Sequence, residues 1–304
     1  MKTNSSPIFL VALILVSIVP GAAAAPKSLD DLAPGAADWT RRTMDWMDAI
    51  WDEEVGMLGS SRSHGVRSTM QYALGLLLRN DKGDVARACR AIEAVLDTQY
   101  NAPDTKYHGA YARSREEPAP DPKSHVVWKD FDPNWREFVG TVQILVIEEY
   151  AERLPEALVT RMDHALALAA EGAYQRQVNA DYTNIAIMSA YLMAYAGQRL
   201  DNATWRQSGT QLAEAVYDRF RVHDTFDEYN SPTYYGVNMY ALAQWRAYPL
   251  NEDMARMGVQ MERALWMDMA RFYHAGLKNL CGPWDSSYGM DMREYVALAG
   301  VWIA

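Results

Sequence analysis

Hydrophobic positions along this chain recur at helical spacing almost from end to end. The period predicts helices over Trp39–Trp51, Arg67–Leu78, Asp84–Gln99, Asn134–Glu152, Glu156–Gln177, Thr183–Ala196, Ala203–Val222, Pro232–Tyr248, Glu252–His274 and roughly Asp291–Ile303. No alternating pattern of strand type stands out, so the fold class is all-α. Between Tyr100 and Asp132 the apolar period lapses in a stretch rich in Pro, Asp and Lys. That reads as a long loop, and loops of this length usually carry function or disorder.

The helices come in pairs, and every second one opens on a cluster of polar and aromatic residues. Asp132-Pro-Asn134-Trp-Arg-Glu137 opens one, with Asp132 as cap and Pro133 as first residue. Asp181-Tyr-Thr-Asn184 opens the next, and Asp227-Glu-Tyr-Asn-Ser231 with Pro232 opens a third. Gly282-Pro-Trp284-Asp285 precedes a fourth, and His64–Arg67 stands where an earlier member of the series would fall. Two helices and their turns fill each interval of about 50 residues. Regular spacing of this kind marks stacked or closed arrays of helical hairpins. Ser231 or Asn230 can cap the third helix, and Pro232 suits its first position. A cap needs one such residue. The surplus of Asp227, Glu228, Tyr229, Asn230, Tyr234 and Tyr235 at one helix mouth predicts a pocket shared by the clusters.

Residues 1–25 combine Lys2, an apolar run from Ile8 to Val19 and small residues at Ala22–Ala25. This is the pattern of a secretory signal peptide, too short for a membrane span. Residues 26–304 are then a single exported domain. A net charge of −10 with no basic stripe argues against nucleic acid or anionic membrane as partner. Cys89 and Cys281 are the only cysteines, and their spacing leaves pairing open. The six histidines lack metal-ligand spacing, and neither a phosphate loop nor a nucleophile elbow is present, so no metal or cofactor is expected. Asn202-Ala-Thr204 is a glycosylation sequon in a eukaryotic host. Ten Trp and eighteen Tyr are generous for a helical core and suit the walls of a sugar site.

The clusters resemble those of the (α/α) toroid enzymes, the fold shared by six-hairpin glycosidases and chondroitin AC/alginate lyases. Asp132-Pro-Asn-Trp-Arg-Glu-Phe-Val-Gly140 is similar to the Asn-Trp-Trp…Glu-Ile-Gly helix start of the lyases, and Tyr182-Thr-Asn184 to the segment whose Asn neutralises a uronate carboxylate. Phe226–Gly236 resembles their Phe-x-Gln-His…Tyr-x-Gly segment, while Glu228-Tyr-Asn230 is equally similar to a Tyr-Tyr-Asn stretch of toroidal β-glucuronidases. The chain departs from the lyases in having Glu228 or Tyr229 where they carry His. It also accommodates only about five hairpins, so the toroid reads as incomplete, left open or cut short at Ala304.

The resemblance implies a secreted glycan-degrading enzyme acting on a poly- or oligosaccharide, and places first a polysaccharide lyase acting on a uronate-containing glycan by β-elimination. Asn184, with Asn134 or Arg136, would neutralise the uronate, and Tyr235, or else Tyr234, would act as base. Trp135, Tyr182 and Trp284 would stack on sugar rings, with Asn230 also at the mouth. In the alternative, a glycoside hydrolase, Glu228 and Asp285 form the best carboxylate pair, with Asp132, Asp181 and Asp291 in reserve. A non-catalytic glycan-binding module is the third reading, since a fold does not guarantee chemistry.

Overall fold

A computed structural model of the protein describes residues 28–60, 62–277 and 279–287. The expected signal peptide, the last expected helix and Asp291 lie outside the described residues. Within them the chain is mostly helical, as the period predicts: α1 Pro34–Ala49, α2 Val66–Arg79, α3 Asp84–Leu96, α4 Trp135–Tyr150, α5 Glu156–Arg176, α6 Thr183–Arg199, α7 Ala203–Phe220, α8 Tyr235–Ala247 and α9 Glu252–Phe272.

Two boundaries move for physical reasons. Trp51, expected in α1, instead begins a small antiparallel sheet of β1 Trp51–Asp52, β2 Met57–Ser60 and β3 Ser63–His64. A second strand pair joins β4 Tyr273–His274 to β5 Asn279–Leu280. Strands this short carry too few alternations to register as a pattern. Pro232 is not the first residue of α8, which starts at Tyr235. Ser231 still receives a bond from the Tyr234 amide on its Oγ (3.2 Å), but it closes a turn ahead of the helix rather than capping it.

The helices form two rows. In one row α2 packs on α4, α4 on α6 and α6 on α8; in the other α3 packs on α5, α5 on α7 and α7 on α9. Hairpins α2–α3, α4–α5, α6–α7 and α8–α9 join the rows, and α1 lies against α2. Burial differs between the rows as this layout demands. Every residue of α6 from Thr183 to Gly197 is buried, and α4 and α8 are buried over most of their length. The outer helices bury one stripe each, such as Ala88, Ala91, Ile92 and Val95 of α3. A helix that is apolar all round belongs between neighbours, while a single stripe belongs at the surface.

Small residues bring the rows together. A Cβ on Gly209 of α7 would lie 2.5 Å from the Ala190 carbonyl oxygen and from the Ala194 nitrogen of α6; one on Gly197 would lie 2.3 Å from the Arg206 nitrogen. The backbones of α6 and α7 therefore touch where side chains normally intervene. On the other flank, Arg79 clamps α1 to α3, bonding Asp48 at 2.6 Å and Asp84 at 2.8 Å.

The connections alternate in length. Within each hairpin the turn is short, whereas segments 97–134, 177–182 and 221–234 return the chain from an outer helix to the next inner one. All three long returns arrive at N-termini of inner helices, so the polar clusters found in the sequence gather at one end of the rows. The 97–134 return is held by its own bridges, Gln99 to Tyr111 and Val127 to Phe131, and by Gly65 against Ser114.

Replacing Gly209 with Val should separate α6 from α7 and cost about 3 kcal/mol, the range of core overpacking. Urea unfolding monitored by circular dichroism checks this; a loss under about 0.5 kcal/mol, the scale of a neutral surface change, would show that the helices do not touch as described.

Candidate functional site

Glu228 stands at the centre of the polar end. It lies in the return to α8, is 8% exposed, and its Oε2 takes no hydrogen bond. Burial pushes its carboxyl up to about 7. The side chain of Asn238, one turn inside α8, and the backbone N–H of Asn184, in the first turn of α6, pull the other way. The negative charges of Asp285 and Asp227 reinforce the rise. Burial wins because two neutral dipoles do not replace the hydration of a carboxylate. Glu228 is thus a carboxylic acid that holds its proton near neutral pH.

Asp285, the partner expected in the sequence, is brought close enough to act on Glu228. Its backbone N–H donates to the Tyr229 carbonyl (3.2 Å), and its Oδ2 accepts from Ser286 (2.9 Å). Asn230 makes that approach. It takes a left-handed backbone (φ 47°), and its side-chain Nδ2 donates to the carbonyls of Cys281 (2.9 Å) and Pro283 (2.8 Å). Asn230 therefore staples the 281–285 segment to the mouth, so its amide N–H groups are committed to the protein and not to a ligand. Tyr229 stacks edge-on against Phe272 beside it.

Tyr235 is fully buried as the first residue of α8, and burial pushes its phenol up to about 12. This is opposite to what a general base requires. Tyr234, next to it, is half-buried.

A second group surrounds the start of α4. Asn134 donates to the Tyr182 hydroxyl (2.9 Å) and accepts from Arg176 (2.8 Å), tying α4, the α6 approach and the end of α5 together. Arg136 does not reach the mouth. Its guanidinium is buried on the carbonyls of His108 (2.7 Å), Lys106 (2.6 Å) and Pro133 (3.3 Å), and burial lowers it to about 10. The expected uronate contact is thus spent on holding the long return segment. Trp135 is half-buried beneath Arg67, whose guanidinium sits 5.1 Å from its ring. Trp284 is half-buried near Asp285, with its indole N–H unpaired.

Several residues that the clusters did not single out as site residues complete the end. Glu137 of α4 is wholly buried, with neither oxygen hydrogen-bonded; Arg176 is 3.9 Å from Oε2, and burial raises its carboxyl. Ser189 Oγ and both polar atoms of Asn238 are also buried without a hydrogen bond, as is Oδ1 of Asn184, a residue the sequence did single out. Native interiors leave few such groups, and here Asn238 faces the Glu228 carboxyl and Ser189 that of Glu137. The signal for Asn238 was present in the sequence: an Asn inside an apolar helix, where its propensity is poor. Arg176 carried no such signal, because a basic last turn is ordinary. Among the described residues no group of three His, Cys, Asp or Glu could hold a metal ion.

A model of the domain of unknown function DUF8769 matches residues 37–304, nearly the whole chain beyond its N-terminal segment. The chain belongs to the DUF8769 family. No curated protein matches it. The matched span runs from α1 through every element of the mouth, so the DUF8769 domain contains Glu228, Asp285 and the α4 start together.

The raised carboxyl has a stability consequence. Between its ordinary value near 4.5 and its folded value near 7, the native chain keeps a proton that the unfolded chain has released. Stability therefore falls as pH climbs through that window and levels off above it. Glu228→Gln lacks this loss, so it should exceed the parent by about 2–3 kcal/mol at pH 8 and match it near pH 4. Thermal or urea unfolding at both pH values measures the difference; a variant less stable at pH 8 than the parent refutes the assignment.

Proposed function

We propose that this protein is a secreted glycan-cleaving enzyme of (α/α) toroid type, a glycoside hydrolase with Glu228 as general acid and Asp285 as its partner carboxylate. The observation that carries the reading is the Glu228 carboxyl, buried at the shared mouth, held protonated near neutrality and set beside a second carboxylate. A carboxyl that its environment keeps protonated near neutrality is suited to act as a general acid. The two rows of paired helices support the toroid, and the half-buried Trp135, Tyr182 and Trp284 supply flat walls for sugar rings.

In this reading a glycosidic oxygen lies against Glu228, which donates its proton as the C1–O bond breaks. The departing sugar leaves as a neutral alcohol, and Glu228 becomes a carboxylate. Water supplies the new bond to C1, directly or after a covalent step at Asp285, and the released proton goes to a carboxylate. Asn238 and the Asn184 N–H favour the charged form of Glu228, so they stabilise it at the moment it forms. The Asn230 staple holds Asp285 in place throughout.

Elimination, which the motif resemblance put first, is less well supported. It needs a Tyr with a lowered pKa, whereas Tyr235 is buried and raised to about 12, with no Arg among the groups that act on it. A binding module would not require an acid held near neutrality.

On a glycan substrate, kcat/KM should fall above about pH 7 as Glu228 ionises. Glu228→Gln should lower kcat roughly 10³-fold, the scale of losing a general acid. New reducing ends without ultraviolet absorbance would support hydrolysis, and an unsaturated, absorbing product would show elimination. Glycan affinity with neither product would leave a binding module.

A further inference from the structure

Near its end the long return closes a tight loop over residues 126–131, a few positions ahead of α4. The loop satisfies its own backbone. The Val126 carbonyl accepts the N–H groups of Lys129 (3.3 Å) and Asp130 (2.9 Å), and the Trp128 N–H donates to the Phe131 carbonyl (2.9 Å). The Asp130 carboxylate accepts the Val126 N–H (2.8 Å). Arg113 holds the loop from outside, donating from Nη1 to the Trp128 carbonyl (3.1 Å) and from Nη2 to that of Lys129 (2.8 Å), while Glu117 accepts from its Nε. A loop fixed at this many points presents its tip in one position.

The residue at that tip is the wrong one for the backbone it occupies. Trp128 stands at φ 71°, where a bulky side chain is strained and glycine is at home. Burial does not offset the strain, since Trp128 is 51% exposed and its indole N–H bonds to no described residue. Strained residues of this kind cluster where ligands bind. Its placement points the same way. The Arg176 guanidinium lies 5.8 Å from the Trp128 ring and 5.9 Å from that of Tyr182, and bonds Asn134 at 2.8 Å. One cation thus sets Trp128 beside the mouth, on the side of Tyr182, two residues before the Asn184 N–H that acts on Glu228.

We infer that Trp128 is a distal subsite, on which a sugar ring stacks away from the scissile bond, and that the substrate is a glycan chain long enough to reach it from Glu228. The exposed face of the indole takes the C–H face of a sugar, and the unpaired N–H at its edge donates to a hydroxyl. From Trp128 through Tyr182 to the first turn of α6, the rings form a track for several sugars instead of a pocket for one. The rigid loop fixes the platform before the chain arrives, so little ordering is lost on binding. This subsite rests on the glycan-cleaving reading, but it demands chain length, which the acid at Glu228 does not.

Binding is measured by titration calorimetry on the Glu228→Gln protein, with di- and hexasaccharides of β-1,4-linked glucose and of β-1,4-linked glucuronate as probes. In at least one of the two series the hexasaccharide should bind about 10-fold more tightly than the disaccharide, the worth of one stacked aromatic ring. Trp128→Gly should abolish that gain, and Trp128→Phe, which keeps a ring, should retain part of it. The thermal unfolding midpoint of Trp128→Gly should hold or rise, because glycine takes φ 71° without strain. No gain with length in either series, or a gain that survives Trp128→Gly, would overturn the subsite. So would a lower midpoint in that variant, which would assign the indole to the fold instead. A Trp128-dependent gain with no cleavage by the unsubstituted protein would keep the subsite and remove the hydrolase. Cleavage with equal kcat/KM on short and long chains would do the reverse.

Discussion

The backbone contact between α6 and α7 is the constraint on which the rest depends. Gly197, Gly209, Ala190 and Ala194 remove the side-chain layer, so the most buried helix of the inner row sits flush against its outer partner. With α6 fixed, α4 and α8 pack on its two sides, and the first turns of all three inner helices come to the same end. Those first turns carry unpaired backbone N–H groups and the positive ends of helix dipoles. A region of that character tolerates buried carboxyls that would be far more costly among aliphatic side chains. Glu137 and Glu228 both occupy it.

The polar end is less stable than a packed core of the same size. Asn184, Ser189, Asn238, Glu137 and Glu228 all contribute buried atoms without hydrogen bonds. Each such atom forfeits about 1–3 kcal/mol relative to a satisfied one. Most lie on α4, α6 and α8 and on the loop before α8, with further unpaired atoms on Glu149 and Gln244 toward the other end of α4 and α8. A concentration of such groups is where binding and chemistry are expected.

Most of the fold was legible in the sequence because helical burial is periodic. α2 through α9 begin and end within three residues of their expected positions. Two-residue strands were not legible, since alternation needs length. The mouth was legible in outline: repeated spacing brought Asn134, Tyr182, Asn184, Glu228 and Asp285 to one end. What spacing cannot give is the direction of a long side chain. Arg136 is adjacent to Asn134 and Trp135, yet its guanidinium turns away to three carbonyls of the return segment. Arg176, 40 residues later at an unremarkable helix end, turns in and bonds Asn134. The staple role of Asn230 was likewise invisible, because it depends on a segment 51 positions away.

Tyr235 and Glu228 were the two competing centres of one motif, and the fold separates them by register. The turn closed by Ser231 delays α8 to Tyr235, and that delay drives the Tyr235 ring into the core as the first helical side chain. A fully buried phenol gains nothing from ionising, and its pKa rises. The same turn leaves Glu228 three residues upstream of it, in the return loop, against the N-terminus of α6. There burial raises its carboxyl as well, but from an ordinary carboxylate value, so it reaches only about 7. One buried acid is thus left unable to give up its proton at neutral pH, and the other is left at the edge of doing so. Similar burial acts on both groups, so the ordinary proton affinity of a carboxyl against that of a phenol decides which residue of the motif is suited to proton transfer.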